Sequence, residues 1–260
     1  MVEISKLALV EAEAVIGEGT EIGPFSCIGK DVKIGKNCKI GPNCVITGKT
    51  TIGDNNVFVS HSAIGGPPQD LGYKGEETQL IIGDNNIFRE FVTINRATTK
   101  EENLTIIGSN CLLMAYVHIA HDCRVGDNVI LANNATLAGH VKVGSFSTVG
   151  ALSAIHQFCA VGEHAFIGGG SILTRDVLPF IKTVGSRGEG KIYGINTIGL
   201  ERRGFPKETI EALKSAYRIL FNSKMLLSEA LLVAEEKWGQ VKEVAYLIKF
   251  IKESKRGIQR

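Results

Sequence analysis

Residues 16–46 read IGEGTEIGPFSCIGKDVKIGKNCKIGPNCVI, and this stretch decides the fold. A large aliphatic residue recurs at every sixth position, and a glycine follows most of them, as in Ile16-Gly17 and Ile22-Gly23. A helical period of 3.6 residues cannot produce this spacing. A fixed repeat sustained over many residues is typical of a solenoid, in which equivalent positions stack on successive coils.

The six-residue series extends along two thirds of the chain and is interrupted twice. Its large members are Ile16, Ile22, Ile28, Ile34, Ile40, Ile46, Ile52, Phe58 and Ile64, then Ile82, Phe88 and Ile94, then Ile107, Leu113, Ile119, Val125, Leu131, Leu137, Val143, Val149, Ile155, Val161, Ile167 and Leu173. Two residues before most of them stands a small or β-branched residue, as at Thr20, Ser26 and Val32. One large and one small inward residue per hexapeptide predict a short strand followed by a tight corner.

Three such strands make a triangular coil, so that residues 18 positions apart stack. Asparagines at the corners, as in Asp54-Asn55-Asn56, suit the left-handed backbone that a tight corner requires. The sequence therefore predicts a mainly β fold, a parallel β-helix of hexapeptide repeats over residues 1–190, followed by a small helical domain over residues 191–260.

The evidence for the helical domain begins at Pro206, which is suited to an early helical position. One face is then lined by Ile210, Leu213, Tyr217, Leu220 and Phe221. We expect further helices over roughly 228–238 and 240–253, closing one end of the β-helix and covering an edge otherwise open to strand pairing.

Bulk composition narrows the class of protein. The 260 residues carry a net charge of only +2, and we expect no nucleic-acid partner. The N-terminus shows no signal peptide and no segment is apolar enough to span a bilayer, which favours a cytoplasmic protein. Five of the six cysteines, Cys38, Cys44, Cys111, Cys123 and Cys159, fall in the small inward position, so we expect buried thiols without disulfide or metal roles.

Two segments leave the repeat, near 65–80 and near 96–105. The first, Gly65–Glu76, is rich in turn-forming residues, and such excursions on a solenoid are often binding loops. The second, Arg96–Asn103, fits a tolerated surface insertion better than the first does.

The 18-residue register brings polar residues together on one strip. His121, Gly139 and Gln157 should lie on three successive coils, about 4.8 Å apart at each step. His118 lies nearby, and His140 and His156 flank the stacked positions. Chance surface histidines are the alternative, but three on adjacent coils favour a functional site.

The chemistry of this strip points to proton transfer. A neutral histidine is the usual base for a weakly acidic hydroxyl near pH 7. No activated nucleophile is evident, because Cys123, Ser153 and Cys159 fall in inward positions. Direct attack of a substrate hydroxyl on an activated acyl group is therefore simpler than a covalent intermediate, with a backbone N–H near Gly139 to stabilise the oxyanion.

Several motifs resemble one enzyme family closely. They are the segment His118–Cys123, the segment Leu131–His140, the segment His156–Cys159, the loop Pro67–Leu71 and the tetrapeptide Arg202–Phe205. They are similar to those of the acyl-[acyl-carrier-protein]:UDP-N-acetylglucosamine O-acyltransferases, which begin lipid A synthesis. The resemblance covers essentially the whole chain and implies a left-handed β-helix, an exception to the usual crossover rule.

The resemblance assigns roles to the candidate residues. It implies that His121 is the general base acting on the glucosamine 3-hydroxyl, that Asp122 supports it and that the Gly139 N–H is the oxyanion donor. It also implies a set of substrate-binding residues: Asp70 for the sugar, His118, His140, His156 and Gln157 along the site, and Asn196, Arg202 and Arg203 for the nucleotide or pantetheine phosphate. Gly169 matches the position that sets acyl length, and a glycine there predicts a longer acyl chain.

The resemblance also implies the partners. The donor would be a (R)-3-hydroxyacyl-acyl carrier protein, the acceptor would be UDP-N-acetylglucosamine, and no metal or other cofactor would be needed. The family forms homotrimers with clefts between subunits, so partner chains would complete each site.

Two positions depart from the family pattern. Gly72 stands where the family usually has lysine, and Ile198 stands where it usually has glutamate. Both lie near the sugar nucleotide in family members, some of which acylate a 3-amino analogue of the sugar. A preference for that analogue is therefore an alternative.

Other classes of protein are further alternatives. Histidines on neighbouring coils are also found in hexapeptide-repeat carbonic anhydrases, which hold zinc. The helical tail and the first excursion count against that function. An N-acyltransferase of the same pathway usually carries an additional N-terminal domain, and a non-catalytic scaffold leaves the histidine strip unexplained.

Overall fold

The computed structural model describes residues 1–185 and 190–260 and shows a three-sided β-helix capped by helices. Its 28 strands, numbered in chain order, form three sheets. Sheet A consists of β1 (Glu3–Ile4), β4 (Glu21–Ile22), β7 (Lys39–Ile40), β10 (Val57–Phe58), β13 (Ile87–Phe88), β16 (Leu112–Leu113), β19 (Ile130–Leu131), β22 (Thr148–Val149), β25 (Phe166–Ile167), β27 (Ile181–Val184) and β28 (Lys191–Ile195).

The other two sides follow the same order of coils. Sheet B consists of β2 (Leu9–Val10), β5 (Cys27–Ile28), β8 (Val45–Ile46), β11 (Ala63–Gly66), β14 (Thr93–Asn95), β17 (His118–Ile119), β20 (Thr136–Leu137), β23 (Ala154–Ile155) and β26 (Ile172–Leu173). Sheet C consists of β3 (Val15–Ile16), β6 (Val32–Ile34), β9 (Lys49–Ile52), β12 (Gln79–Ile82), β15 (Leu104–Ile107), β18 (Arg124–Val125), β21 (Lys142–Val143) and β24 (Ala160–Val161).

Within each sheet the neighbouring strands of the repeat are parallel, as the hexapeptide pattern predicts. Ile22 lies beside Ile40, for example, and Ile119 lies beside Leu137, an offset of 18 residues in both cases. The pair of β27 with β28 is antiparallel and ends the repeat.

The inward positions predicted from the repeat form one continuous core. The large residues from Ile22 to Leu173 are buried, and two phenylalanines inside the coil, Phe58 and Phe88, stack with ring centroids 4.3 Å apart. The five cysteines of the small inward position are buried free thiols, as predicted, whereas Cys27 faces outward and is half-buried.

Corners between strands use left-handed backbone, which L-residues other than Gly, Asn and Asp seldom adopt. Asn55 and Asn85 take φ values of 57° and 58°, in agreement with the corner pattern. Asp122 and His140 take φ values of 60° and 64°, so the candidate site also lies at corner positions.

The C-terminal helices pack on the last coil. They are α1 (Thr197–Arg202), α2 (Lys207–Asn222), α3 (Leu227–Trp238) and α4 (Lys242–Glu253). The last three agree with the predicted helices to within a few residues, whereas α1 was not predicted. Their core runs from Leu178 to Ile258 and is separate from the core of the coil.

The proposed division into domains at residue 190 stays a prediction, and residues 186–189 next to it lie outside the described part of the chain. In the ranges 1–185 and 190–260, none of the helices combines the length and the apolar character that crossing a bilayer requires.

Candidate functional site

Both excursions leave the coil at the corner between sheets B and C, which we call the B–C corner. The first joins β11 to β12 and the second joins β14 to β15, and each connection runs from sheet B to sheet C. His121 and Asp122 form the same corner on the next coil, between β17 and β18. The topology therefore brings the loops and the histidine strip to one edge of the molecule.

The stacking predicted from the 18-residue register is present. The His140 N–H donates to the His121 carbonyl at 3.0 Å, and the Phe158 N–H donates to the Gly139 carbonyl at 3.1 Å. These bonds join three successive corners, so His121, Gly139 and Gln157 lie one above another.

His121 and Asp122 are in direct contact, although they are adjacent in the sequence. His121 Nδ1 lies 2.8 Å from Asp122 Oδ2, a distance at which the ring N–H donates to the carboxylate. Adjacent side chains on a strand would point apart, but these residues form a corner in which Asp122 has left-handed backbone. The pairing orients the ring and leaves His121 Nε2 for a substrate.

The Asp122 carboxylate is buried and held from several sides. The Thr98 hydroxyl donates to Oδ2 at 2.7 Å, and the Thr98 N–H lies 3.1 Å from the same oxygen. Burial by itself would raise the pKa of Asp122, but the hydrogen bonds from His121 and Thr98 outweigh it and lower the pKa. Asp122 is therefore a charged acceptor near neutral pH.

Gly139 lies directly against the ring of His121. A Cβ at this position would lie 2.6 Å from His121 Cε1 and 2.9 Å from His121 Nε2, which is closer than van der Waals contact allows. The Gly139 N–H donates to no acceptor among residues 1–185 and 190–260. A donor beside the base is thus open to a substrate oxygen.

His140 lies behind this pair rather than on the surface. Its Nε2 is 3.7 Å from Asp122 Oδ2, its Nδ1 is 3.2 Å from Glu101 Oε1, and its ring stacks on Phe158 with centroids 4.4 Å apart. Only 4% of the residue is exposed. In this arrangement the His140 ring supports Asp122.

Two further predicted residues lie close to His121. His118 Nδ1 is 2.8 Å from the Thr93 hydroxyl, and burial, with a smaller effect from the charge of His121, lowers the pKa of His118. The Asp70 carboxylate accepts from the Gly72 N–H at 2.7 Å and pairs with Lys100. The hydrogen bond from Lys100 is the main reason that the pKa of Asp70 is lowered.

His156 and Gln157 are exposed at the same corner, one coil beyond His140. His156 Nδ1 lies 3.3 Å from the Arg256 guanidinium, which comes from the C-terminal tail. Gly169 is not part of this group, because it lies at the corner between sheets A and B. A Cβ there would be 3.2 Å from the Ala151 carbonyl oxygen.

Asn196, Arg202 and Arg203 form a second group on sheet A, away from His121. They line a cavity of about 640 Å³ together with Ile198. Arg203 lies over the Phe146 ring at 4.6 Å, and the Asn196 side chain donates to the His164 carbonyl at 3.1 Å. Within one chain, this group and the histidine group therefore lie on different edges of the β-helix, and Gly169 lies on a third.

The donor atoms of His121, Asp122 and His140 all lie within 4.8 Å of one another, a spacing that could hold a metal ion. The carboxylate, however, already accepts hydrogen bonds from Thr98 and His121. His118 and His156 are not part of this group and contact Thr93 and Arg256. The arrangement favours a hydrogen-bonded base over a metal centre.

Comparisons with known proteins identify the family. Residues 176–259 match the model described as UDP N-acetylglucosamine O-acyltransferase, domain 2, and residues 13–48, 31–66 and 104–139 match the bacterial transferase hexapeptide model. An acyl-[acyl-carrier-protein]–UDP-N-acetylglucosamine O-acyltransferase from Thermodesulfovibrio yellowstonii is 48% identical, over 100% of both chains. One of the same name from Syntrophobacter fumaroxidans is 46% identical over 99% of this chain and 100% of that protein.

The chain belongs to the UDP-N-acetylglucosamine O-acyltransferase family.

Solved structures of the family agree with this assignment. The UDP-N-acetylglucosamine acyltransferase from Campylobacter jejuni superposes with a TM-score of 0.93 at 41% identity, covering 99% of each chain. That from Bacteroides fragilis gives a TM-score of 0.94 at 43% identity, covering 98% of this chain and 99% of the other. The left-handed parallel β-helix with a C-terminal helical part, expected from the sequence, is confirmed by this likeness.

The two departures from the family pattern lie in the two separate groups. Gly72 is in the first excursion and donates its N–H to Asp70, whereas Ile198 is 63% exposed and lines the cavity with Asn196.

Sequence analysis missed the contribution of the second excursion. The interpretation that it fits a tolerated surface insertion better than the first excursion does was wrong, because Ala97 and Thr98 are buried and Thr98 binds Asp122. The register could have placed it at the B–C corner, because both excursions lie between a sheet B strand and a sheet C strand, where His121 lies on the next coil. It could not show that Thr98 reaches Asp122.

Proposed function

We propose that this member of the family transfers a (R)-3-hydroxyacyl group from acyl carrier protein to the glucosamine 3-hydroxyl of UDP-N-acetylglucosamine, the first step of lipid A synthesis. The observation that carries the proposal is the oriented His121–Asp122 pair beside the open Gly139 N–H. The full-length likeness to relatives of that name supports it. We infer a cytoplasmic location, as the sequence predicts.

His121 is the general base of the proposed mechanism. Its Nε2 removes the proton from the acceptor hydroxyl while the oxygen forms a bond to the thioester carbonyl carbon. Asp122 holds Nδ1–H and stabilises the resulting imidazolium, since its carboxylate stays charged. The C–S bond then breaks, and the imidazolium returns the proton to the departing thiolate.

The Gly139 N–H stabilises the oxyanion of the tetrahedral intermediate, a contribution typically worth about 10²–10³-fold in rate. Direct attack is supported by the cysteines nearest the site. Burial raises the pKa of Cys123 to about 12 and also raises the pKa of Cys159, so neither thiol is an available nucleophile.

The remaining predicted residues bind the substrates. Asp70 holds the acceptor sugar, and His118, His140, His156 and Gln157 line the path of sugar and acyl chain along the B–C corner. Asn196, Arg202 and Arg203 hold a phosphate of the nucleotide or of pantetheine, which suits guanidinium groups. Gly169 leaves room for a long acyl chain.

A homotrimer would unite the two groups. Exposed apolar residues follow the corner between sheets A and B: Phe25, Phe91, Tyr116 and Leu152. If three copies meet along this corner, sheet A of one copy faces sheet B of the next. Asn196, Arg202 and Arg203, which face sheet A, then approach the histidine strip of the neighbouring copy. This arrangement supports a site shared between subunits.

In the first experiment, purified protein is incubated with 3-hydroxyacyl-acyl carrier protein and UDP-N-acetylglucosamine, and the product is identified by mass spectrometry. We expect a 3-O-acylated sugar nucleotide with a long acyl chain, and a loss of about 10²–10⁴-fold in kcat for His121→Ala. Unchanged turnover in the variant would remove His121 as the base. Products confined to short chains would contradict the role of Gly169.

The alternative acceptor is the 3-amino analogue of the sugar nucleotide, and Gly72 and Ile198 are the residues that favour it. Turnover of the two sugar nucleotides should be compared with the same donor. Exclusive use of the 3-hydroxyl would rule out the alternative, whereas preference for the amine would keep the mechanism and change the substrate.

A zinc-dependent hydratase is tested by metal analysis of the purified protein together with a carbon dioxide hydration assay. Stoichiometric zinc with hydration and without acyl transfer would overturn the proposed function.

A further inference from the structure

Three residues of the second excursion, within positions 98–101, contact residues of the candidate site. Thr98 donates to Asp122, Lys100 pairs with Asp70, and Glu101 lies 3.2 Å from His140. The loop therefore runs along the inner side of the site and is placed to position it.

The end of β14 and the start of the second excursion also hold the first excursion. The Asn95 side chain donates to the Pro67 carbonyl at 2.9 Å, and Arg96 donates to the Gly65 carbonyl at 2.5 Å and to the Tyr73 hydroxyl at 3.2 Å. These bonds secure the base of the first excursion. Farther along the first excursion, at Asp70, the contact with the second excursion is made by Lys100.

Asp70 has few other supports at this tip. Its side chain is 16% exposed, whereas the next residue, Leu71, is fully exposed. Apart from Lys100, the hydrogen-bond donor to its carboxylate in the described part of the chain is the Gly72 N–H, which belongs to the same turn. Removing Lys100 would thus leave the carboxylate with one hydrogen-bond donor among the described residues, the Gly72 N–H of its own turn.

The contact between Lys100 and Asp70 matters for function because the same loop also reaches the residues around His121. Lys100 lies two residues after Thr98, which donates to Asp122, the partner of His121, so the same loop contacts both Asp122 and Asp70. The Lys100 side chain is 58% exposed and therefore accessible from solvent.

We propose that Lys100 is a positioning residue for the acceptor: its ammonium group fixes the Asp70 carboxylate in the direction that a hydroxyl-rich nucleotide sugar requires beside His121. The inference rests on the proposed function and adds to it a residue from an excursion. Lys100 acts through Asp70 and not on the reacting atoms, so its effect falls on acceptor binding.

The test compares Lys100→Gln with Lys100→Arg and with the matched control Lys74→Gln. Lys74 is an exposed lysine of the first excursion whose ammonium group forms no ion pair within the described residues. Binding of UDP-N-acetylglucosamine without donor is measured by calorimetry, and kinetics are measured with both substrates.

We expect Lys100→Gln to raise Kd and KM for the sugar nucleotide about 10-fold, with kcat and the KM of the acyl donor changed less than about 3-fold. Lys100→Arg should retain most of the affinity, because a guanidinium also pairs with a carboxylate. Lys74→Gln should behave like the wild type.

Hydrogen exchange supplies a readout that does not depend on substrate. The Gly72 amide, which donates to Asp70, should exchange faster in Lys100→Gln than in either other variant. Faster exchange with unchanged acceptor affinity would overturn the proposal, as would a fall in kcat alone. If the wild type itself binds neither this sugar nucleotide nor its 3-amino analogue, the proposed function fails and the role of Lys100 fails with it.

Discussion

At the scale of single residues, the site depends on how a corner directs side chains. His121 and Asp122 meet because Asp122 takes left-handed backbone, a conformation that costs most residues about 1–2 kcal/mol. The Thr98 and His121 hydrogen bonds to the carboxylate offset that cost. The same left-handed backbone occurs at other corners of the coil, so the contacts of the Asp122 carboxylate, and not its φ, distinguish this corner.

Gly139 carries the sharpest prediction at this scale. In Gly139→Ala the new methyl group would lie 2.6 Å from His121 Cε1, so the ring must move. We expect kcat to fall about 10²-fold, because a shift of about 1 Å in a catalytic group has that effect. Steady-state kinetics on the purified variant, with the KM values of both substrates, measure it.

Gly29→Ala is the matched control for this substitution. It lies at the same corner on an early coil, where a methyl group would be 3.4 Å from Thr47 Cα, an ordinary contact. We expect wild-type kinetics. Equal activity in both variants would show that the ring of His121 does not need the space at Gly139.

At the scale of elements, the corner between sheets C and A carries a column of stacked aromatic rings. His164 lies between Phe146 and Phe180, at centroid distances of 4.8 and 5.7 Å. Its Nδ1 is buried without a hydrogen-bond partner in the described ranges. The column connects the coil with the helices that carry Asn196 and Arg203.

Burial, with a smaller effect from the charge of Arg203, lowers the pKa of His164 to about 4. The folded protein therefore keeps this ring neutral down to about pH 4, whereas the unfolded chain protonates it below about pH 6.5. The contribution to stability is complete above pH 6.5 and is lost as pH falls towards 4.

His164→Phe should remove this part of the acid sensitivity. Between pH 7.5 and 5, we expect the free energy of unfolding of the wild type to fall by roughly 2 kcal/mol more than that of the variant. Urea unfolding at a series of pH values measures the difference, and the value at pH 7.5 serves as the reference for each protein. Parallel pH profiles would show that His164 is protonated in the folded state as readily as in the unfolded state.

At the scale of the whole molecule, the two groups of predicted substrate-binding residues lie on different edges of the prism. His121 is at the B–C corner, and Arg203 lies on Phe146 at the corner between sheets C and A. The proposed site, which uses both, would be assembled from two copies of the chain.

Subunit mixing tests this arrangement. If the chain forms the proposed homotrimer, co-expression of His121→Ala and Arg203→Ala chains gives some mixed trimers that contain a cleft with both native residues. We expect each variant alone to be nearly inactive and the mixture to recover up to about a quarter of wild-type activity, as random assembly of a cyclic trimer gives. A mixture no more active than the separate variants would place both residues in one subunit's site.

Much of this protein follows from the sequence by itself. The six-residue period determines the three-sided coil, because only a strand of fixed length with a corner after it keeps a large and a small residue facing inward in every repeat. The same period determines that His121, Gly139 and Gln157 stack, since the hydrogen bonds between coils preserve an 18-residue register.

Only the tertiary structure decided how the site is completed. The excursions break the register, so the period does not indicate that Thr98 reaches Asp122 or that Lys100 reaches Asp70. The period also does not predict in which direction a side chain points at a corner. That direction depends on the backbone angles of residues such as Asp122 and His140. Contacts between segments of unequal length are set by packing in three dimensions, and for this reason the inner face of the second excursion was not evident from the sequence.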